Sequence, residues 1–292
     1  MGVAAQKAAL LALETEIFRV TTMSLGNEAQ SAPEIRSVSM LYIGCEGWTI
    51  SGKFSSEFPT CGSHLERYAQ IFQSCEINTS FYRPHRKLTW ERWANAVPAA
   101  FCFAVKVPRV ITHDRSLSRT VDDLLPFFAQ ALLLGQKLGP VLFQTPPKLV
   151  FDEKIAAKFL ALLRTIYSGQ VVIEPRHVSW FTDAAERLLV DFGVARAAAD
   201  PAPIVAGGLP RASRSLSYYR LHGTPRKYYS EYSSDALVRL SATYQDEVGV
   251  KDVWAIFDNT ASDAVAGDAL RLLRMSSQES RIDCDPDEDR LA

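Results

Sequence analysis

Glu76 and Asn78 stand two residues apart in Cys75-Glu76-Ile77-Asn78-Thr79-Ser80-Phe81-Tyr82, a short apolar run that reads as a strand. Side chains alternate between the faces of a strand, so the carboxylate and the amide share one face while Cys75, Ile77 and Thr79 take the other. The same spacing recurs in Glu174-Pro175-Arg176 and in Arg220-Leu221-His222. In Phe101-Cys102-Phe103-Ala104-Val105-Lys106-Val107 the parity sets Lys106 with Cys102 and Ala104, opposite Phe103, Val105 and Val107. Glu76, Glu174 and His222 are the candidates for proton transfer, because environment moves the pKa of carboxylates and imidazoles toward neutrality. Lys106, Arg176 and Arg220 are the candidates for clamping a phosphate or carboxylate. Gln144, His177, Asp258 and Asn259 follow other apolar runs and extend the polar set, while Trp48 and Tyr82 offer aromatic walls. A buried unpaired charge costs several kcal/mol, so these groups must satisfy one another or a ligand. A charged layer can also simply fill a barrel interior, and that structural role stands beside the functional one for Glu76, Glu174 and Arg220.

Two other chemistries use the same residues. Glu76, Glu174, His177, His222 and Asp258 are metal-ligand types, but no His-Glu-x-x-His spacing exists, so metal-assisted phosphodiester hydrolysis would need the fold to gather Glu174, His222 and Asp258. The basic aromatic loop from Arg226 to Tyr232, with Arg109, Arg115 and Arg119, suits nucleic-acid or protein binding without turnover. No Gly-x-Ser-x-Gly elbow and no glycine-rich nucleotide loop occurs, so neither a serine nucleophile nor a cofactor is read.

Groups so far apart in the chain form one site only if the fold gathers strand ends. Apolar runs beginning at Met40, Cys75, Phe101, Val141, Val171, Val194, Leu216 and Val253 read as eight strands, separated by segments of helical periodicity. Ser63 and Glu66 make a capping box for the first of the intervening helices. Eight such units in about 240 residues predict a TIM-type (β/α)8 barrel, whose C-terminal strand ends carry the site. Residues 1–37, with a helix over Ala4 to Phe18, are expected to be an N-terminal extension, residues 38–275 the barrel, and residues 276–292 an acidic tail.

Composition narrows the partners. A net charge of -1 over 292 residues argues against wholesale nucleic-acid coating, while a local basic mouth for a small anionic ligand stays compatible with it. Five cysteines without a Cys-x-x-Cys pair read as free thiols of a reducing cytoplasm. No run approaches the roughly 18 to 20 apolar residues of a membrane span, so no membrane partner is expected and the localisation is read as cytoplasmic. Oligomeric state leaves no mark on the sequence.

Seven ordered motifs then carry a resemblance. Gly44-Cys45-Glu46-Gly47-Trp48, Glu76 through Tyr82, Phe103 through Pro108, and Gly139 through Pro147 are joined by Arg176-His177 with Ser179-Trp180, Arg220-Leu221-His222-Gly223, and Phe257-Asp258-Asn259-Thr260. Over roughly residues 40 to 275 the chain resembles the YecE-like family, also called domain-of-unknown-function family 72. The resemblance implies a TIM-type barrel of unassigned biochemistry, likened on fold grounds to sugar isomerase and apurinic endonuclease barrels. Glu46 stands where the family has a serine, Thr79-Ser80 is a reversed pair, and Asp258 replaces an asparagine, which makes the expected mouth more acidic.

Overall fold

The structure, a computed structural model, describes residues 39–118 and 120–282. The expected extension over 1–37 with its helix, Arg119 and the last ten positions of the expected tail lie outside the described residues.

The expected alternation is present. Strand β1 (Leu41–Glu46) is followed by helix α1 (His64–Tyr68), β2 (Ser74–Ile77), the single turn α2 (Thr79–Tyr82) and α3 (Lys87–Asn95). Next come β3 (Cys102–Lys106), α4 (Val121–Ala131), β4 (Leu138–Gln144), α5 (Glu153–Ile166), β5 (Val171–Glu174) and α6 (Asp183–Asp191). Two short strands, β6 (Ala195–Arg196) and β7 (Ala198–Asp200), precede β8 (Leu216–Leu221), α7 (Ser234–Val248), β9 (Asp252–Phe257) and α8 (Ala264–Ile282). Every strand pairs in parallel with its neighbour, in the order β6-β5-β4-β3-β2-β1-β9-β8-β7.

β6 and β7 are two halves of the sixth barrel position, separated by Ala197 alone. The first half pairs with β5 and the second with β8, so between them they close the barrel. The break has a local cause: Arg196 exchanges both of its backbone bonds with Arg211 of the following loop, at 2.8 and 3.1 Å. The fold is therefore the TIM-type α/β barrel that the sequence predicts, with one strand split.

Strand parity sorts the core into two layers. Phe103, Val105, Val107, Phe143 and Ile173 pack outward under the helices. Ala104, Leu142, Val172, Ala195, Tyr218, Trp254 and Ile256 fill the barrel interior, with Tyr42 and Cys102 against them. Trp254 occupies that space because its neighbours are small: a Cβ on Gly139 would lie 2.7 Å from its ring. The expected capping box is formed, with the Ser63 N–H donating to Glu66 Oε2 at 2.7 Å, and such caps contribute about 1 kcal/mol each.

Helix α8 runs through Ile282, past Met275 where the apolar periodicity ends. Serine reads as a tail residue, yet Ser276 is buried with its hydroxyl 3.4 Å from that of Ser241 on α7, and Ser277 bonds back to the Leu273 carbonyl at 2.8 Å. Among the described residues no helix is long and apolar enough to cross a membrane.

Candidate functional site at the C-terminal end of the barrel

Arg220 is the centre of the polar layer. It lies on β8 two residues after Tyr218, so both side chains enter the barrel, and His222 follows one step beyond the strand. Nε and Nη2 donate to Glu76 at 3.1 and 2.7 Å, Nη2 also to Asp258 at 2.8 Å, and Nη1 to Glu174 and to His222 Nε2, both at 3.0 Å. A guanidinium has five N–H groups, so none is left for a ligand. The glutamates have further partners: Tyr218 donates to Glu76 Oε2 at 2.7 Å and Gln144 to Glu174 Oε2 at 2.8 Å, each sharing that oxygen with Arg220, while Arg176 lies 2.5 Å from Glu174 Oε1. Glu76, Glu174, Arg220 and His222 are all 0% exposed.

These contacts set protonation states. Burial alone would raise the Glu174 carboxyl, but Arg176 and Arg220 overcome it and hold the group well below the usual carboxylate range. His222 Nε2 faces two guanidinium donors, Arg220 Nη1 and Arg176 Nη2, each at 3.0 Å, so that nitrogen must present its lone pair. Burial first and Arg220 second push the imidazole well below its ordinary value, leaving it neutral with the proton on Nδ1. That Nδ1 is buried and has no partner among the described residues. Asp258 is raised well above the usual range, by burial first and against the pull of Arg220, with the Glu46 carboxylate beside it adding to the rise.

Above this closed layer lies a rim of cations. Lys106, 6% exposed, places its ammonium 4.4 Å from the centre of the Phe81 ring and makes no ion pair within 4 Å among the described residues. Burial and then Arg220 lower its pKa, against Glu76, Glu174 and Asp258. Arg176 keeps 11% of its side chain exposed. Lys227 is lowered to about 8 by burial and by Arg176, and it lies 5.0 Å from the Tyr228 ring, which itself stands edge-on to His222 at 5.6 Å.

The loop carrying Lys227 is fixed at both ends. Gly223 has φ +89°, and a Cβ there would lie 2.5 Å from the Ser230 carbonyl oxygen. The Tyr228 N–H donates to the His222 carbonyl at 2.5 Å, and Asn259 Nδ2 donates to the Ser230 carbonyl at 3.0 Å and to Asp268 Oδ2 at 2.6 Å.

The fold thus brings together Glu76, Lys106, Gln144, Glu174, Arg176, Arg220, His222 and Asp258. Asn78 is buried just past β2 at the start of α2, with its Oδ1 unpartnered among the described residues. Asn259 ties the 223–232 loop to α8, and His177 holds its own loop, with Nδ1 2.8 Å from Ser179 Oγ. Trp48 stands edge-on to Trp93 and Phe103, in the layer outside the barrel. Tyr82 is 78% exposed and lines a separate cleft of about 390 Å³ with Phe81, Val110 and Phe127. Tyr218 was not among the candidates, though parity with Arg220 could have found it, and Lys227 was named only as part of the Arg226 to Tyr232 loop, because its approach to the mouth depends on how that loop folds back. Among the described residues no group of three or more His, Cys, Asp and Glu side chains is arranged to hold a metal ion.

Comparison with known proteins agrees with this architecture. The UPF0759 protein YunF of Bacillus subtilis (strain 168) is 23% identical over 81% of this chain and 94% of its own length. The UPF0759 protein YecE of Escherichia coli (strain K12) is 28% identical over 57% of this chain and 61% of its own. Crystal structures of DUF72 family proteins from Enterococcus faecalis V583 (TM-score 0.70, 19% identity, 82% of this chain and 96% of that one) and Thermotoga maritima MSB8 (TM-score 0.68, 23% identity, 82% and 99%) share the fold. Residues 42–290, which include the barrel strands from the second residue of β1 onward and every member of the polar layer, match the family described as "Protein of unknown function DUF72", and the chain belongs to that family.

Proposed function

We propose that the C-terminal mouth of the barrel binds a small ligand carrying a phosphate or carboxylate group, held by Lys106, Arg176 and Lys227. The observation that supports this most is the Lys106 ammonium, which is nearly buried, rests on an aromatic face and has no ion pair among the described residues. A buried cation without a contact partner is costly, and an anion entering from the mouth would remove that cost. Arg220, the strongest clamp candidate by residue type, serves instead as the hub of the closed layer, because its five donors are already bonded.

Acid–base work on such a ligand falls to Asp258 in this reading. Glu76 and Glu174 are locked by Arg220, and the His222 lone pair is covered by two guanidiniums. Asp258 is the carboxyl of this layer whose environment, burial first, favours the protonated form. Metal-assisted hydrolysis finds less support, because the Arg220 guanidinium bonds to Glu174, His222 and Asp258 at the point where they converge.

Thermal unfolding in sulfate, phosphate and dicarboxylate buffers, compared with chloride at equal ionic strength, tests the reading. The melting temperature is expected to rise with the polyvalent anions, and Lys106→Met and Arg176→Met to lose most of that rise. An unchanged melting temperature across the panel would overturn the proposal.

A further inference from the structure

We infer that Lys106 is an amine nucleophile, forming an imine with the carbonyl carbon of a small aldehyde or ketone that also bears a carboxylate or phosphate; this rests on the anion site proposed above.

Lysines are normally kept as ammonium ions by water or by a carboxylate, and either prevents nucleophilic attack. At Lys106 the carboxylate is missing and access to water is small. Its side chain leaves the inner face of β3 above Ala104, and the surface it turns to solvent is 6% of the residue. Its ammonium meets the face of Phe81, and no described carboxylate lies within ion-pair distance. Lys137 shows the contrast, because its ammonium is bonded to the carbonyls of Ala94 and Val97 at 2.5 and 2.6 Å and is held as a structural cap. The Lys106 backbone is fixed as well, its carbonyl accepting from Ser80 Oγ at 2.6 Å, so the amine is presented from a rigid strand end. Burial and then Arg220 lower its pKa against the pull of Glu76, Glu174 and Asp258, which makes the uncharged amine easier to reach.

The surrounding groups complete the chemistry. In its uncharged form the Lys106 nitrogen adds to the carbonyl carbon, and a proton passes from that nitrogen to the carbonyl oxygen, giving a carbinolamine. The protonated Asp258 carboxyl then gives its proton to the hydroxyl, which leaves as water while the nitrogen lone pair forms the C=N bond. The products are an iminium on Lys106, one water and the Asp258 carboxylate, with no oxidant or reductant consumed. Arg176 and Lys227 hold the acidic end of the ligand, and the Arg220 layer beneath closes the barrel below the reacting atoms.

The test is reductive trapping. The full chain is incubated with glyoxylate and cyanoborohydride, digested, and each lysine peptide is quantified by mass spectrometry. Lys106 is expected to carry the reduced adduct at a level an order of magnitude above the exposed Lys53, with propanal, which lacks an acid group, labelling it more slowly. Lys106→Arg keeps a cation without a primary amine, so it should retain the sulfate-induced thermal shift and lose the adduct. Labelling spread evenly over the lysines, concentrated on Lys227, or unchanged by Lys106→Arg would overturn the inference. A sulfate shift with Lys106 unlabelled removes the imine alone, whereas no sulfate shift in the unaltered protein removes the anion site on which it rests.

Discussion

The Arg220 guanidinium and the Glu76 carboxylate meet at two points, Nη2 to Oε1 at 2.7 Å and Nε to Oε2 at 3.1 Å, and neither side chain reaches solvent. The contact joins β8 to β2 across the barrel interior, so the pair ties opposite walls of the closed sheet. Replacing Arg220 by Met leaves Glu76, Glu174 and Asp258 without their shared cation. Breaking a buried pair in this way typically costs about 3–5 kcal/mol. Urea unfolding of Arg220→Met should show a midpoint lowered accordingly; a midpoint within error of the unaltered protein would show that the layer does not contribute to stability.

His222 makes the stability of the barrel depend on pH, with a definite sign. Its folded pKa lies well below that of an unfolded histidine, about 6.5. Between those two values the unfolded chain binds the proton and the folded one does not, so stability falls as pH drops below about 6.5. Asp258, raised by burial, acts in the opposite direction within part of the same range, because the folded form holds its proton longer. The unaltered protein alone therefore cannot isolate the imidazole, and the comparison is with His222→Gln. Unfolding free energy plotted against pH should lose slope in the variant between pH 6.5 and 5, by up to about 1.4 kcal/mol per pH unit. Parallel curves would mean that His222 titrates normally in the folded state.

How much of this was visible in the sequence depended on the range of the interaction involved. Strand parity is a local property, and it suffices to group Glu76, Lys106, Glu174 and Arg220 on inward faces, while Asp258 is legible only as the residue that ends its strand. Which charges neutralise which is not local, and so Arg220 looked like a clamp when it is a hub bonded to three strands' worth of acceptors. Asn259 and His177 follow strands as ligand-binding residues would, but they hold loops, because short polar side chains at a strand end have a backbone carbonyl or N–H within easy reach. Trp48 missed the mouth for a different reason: past Gly47, at φ +74°, strand parity no longer fixes which way a side chain turns. Lys227 reaches the mouth only because Gly223 turns the chain back on itself.

That turn is open to a direct test. Gly223→Ala puts a Cβ at φ +89° and 2.5 Å from the Ser230 carbonyl oxygen, so backbone strain and a steric clash act together. A single residue forced into such a conformation costs about 1–3 kcal/mol, and the loop over 223–232 can relieve it only by moving away from the mouth. Limited proteolysis should cut the variant within that loop faster than the parent, while the Arg220 layer beneath keeps the barrel folded. Equal cleavage rates would indicate that the turn tolerates a side chain and does not position Lys227.

Lys227 itself should give anion binding a pH dependence in the alkaline range. Its pKa is lowered to about 8, from burial first and from Arg176 next, so it loses its charge across a range where arginine keeps its own. An anion stabilises the charged form, and affinity must therefore fall as pH rises through that value. Sulfate is the suitable probe because its own charge does not change there. Its dissociation constant should weaken a few-fold between pH 7 and 9, and more at low ionic strength, where charges at the rim are less screened. Lys227→Met should bind more weakly at pH 7 and show a flatter profile. A profile unchanged by the substitution would place Lys227 outside the binding site and leave Lys106 and Arg176 as its cations.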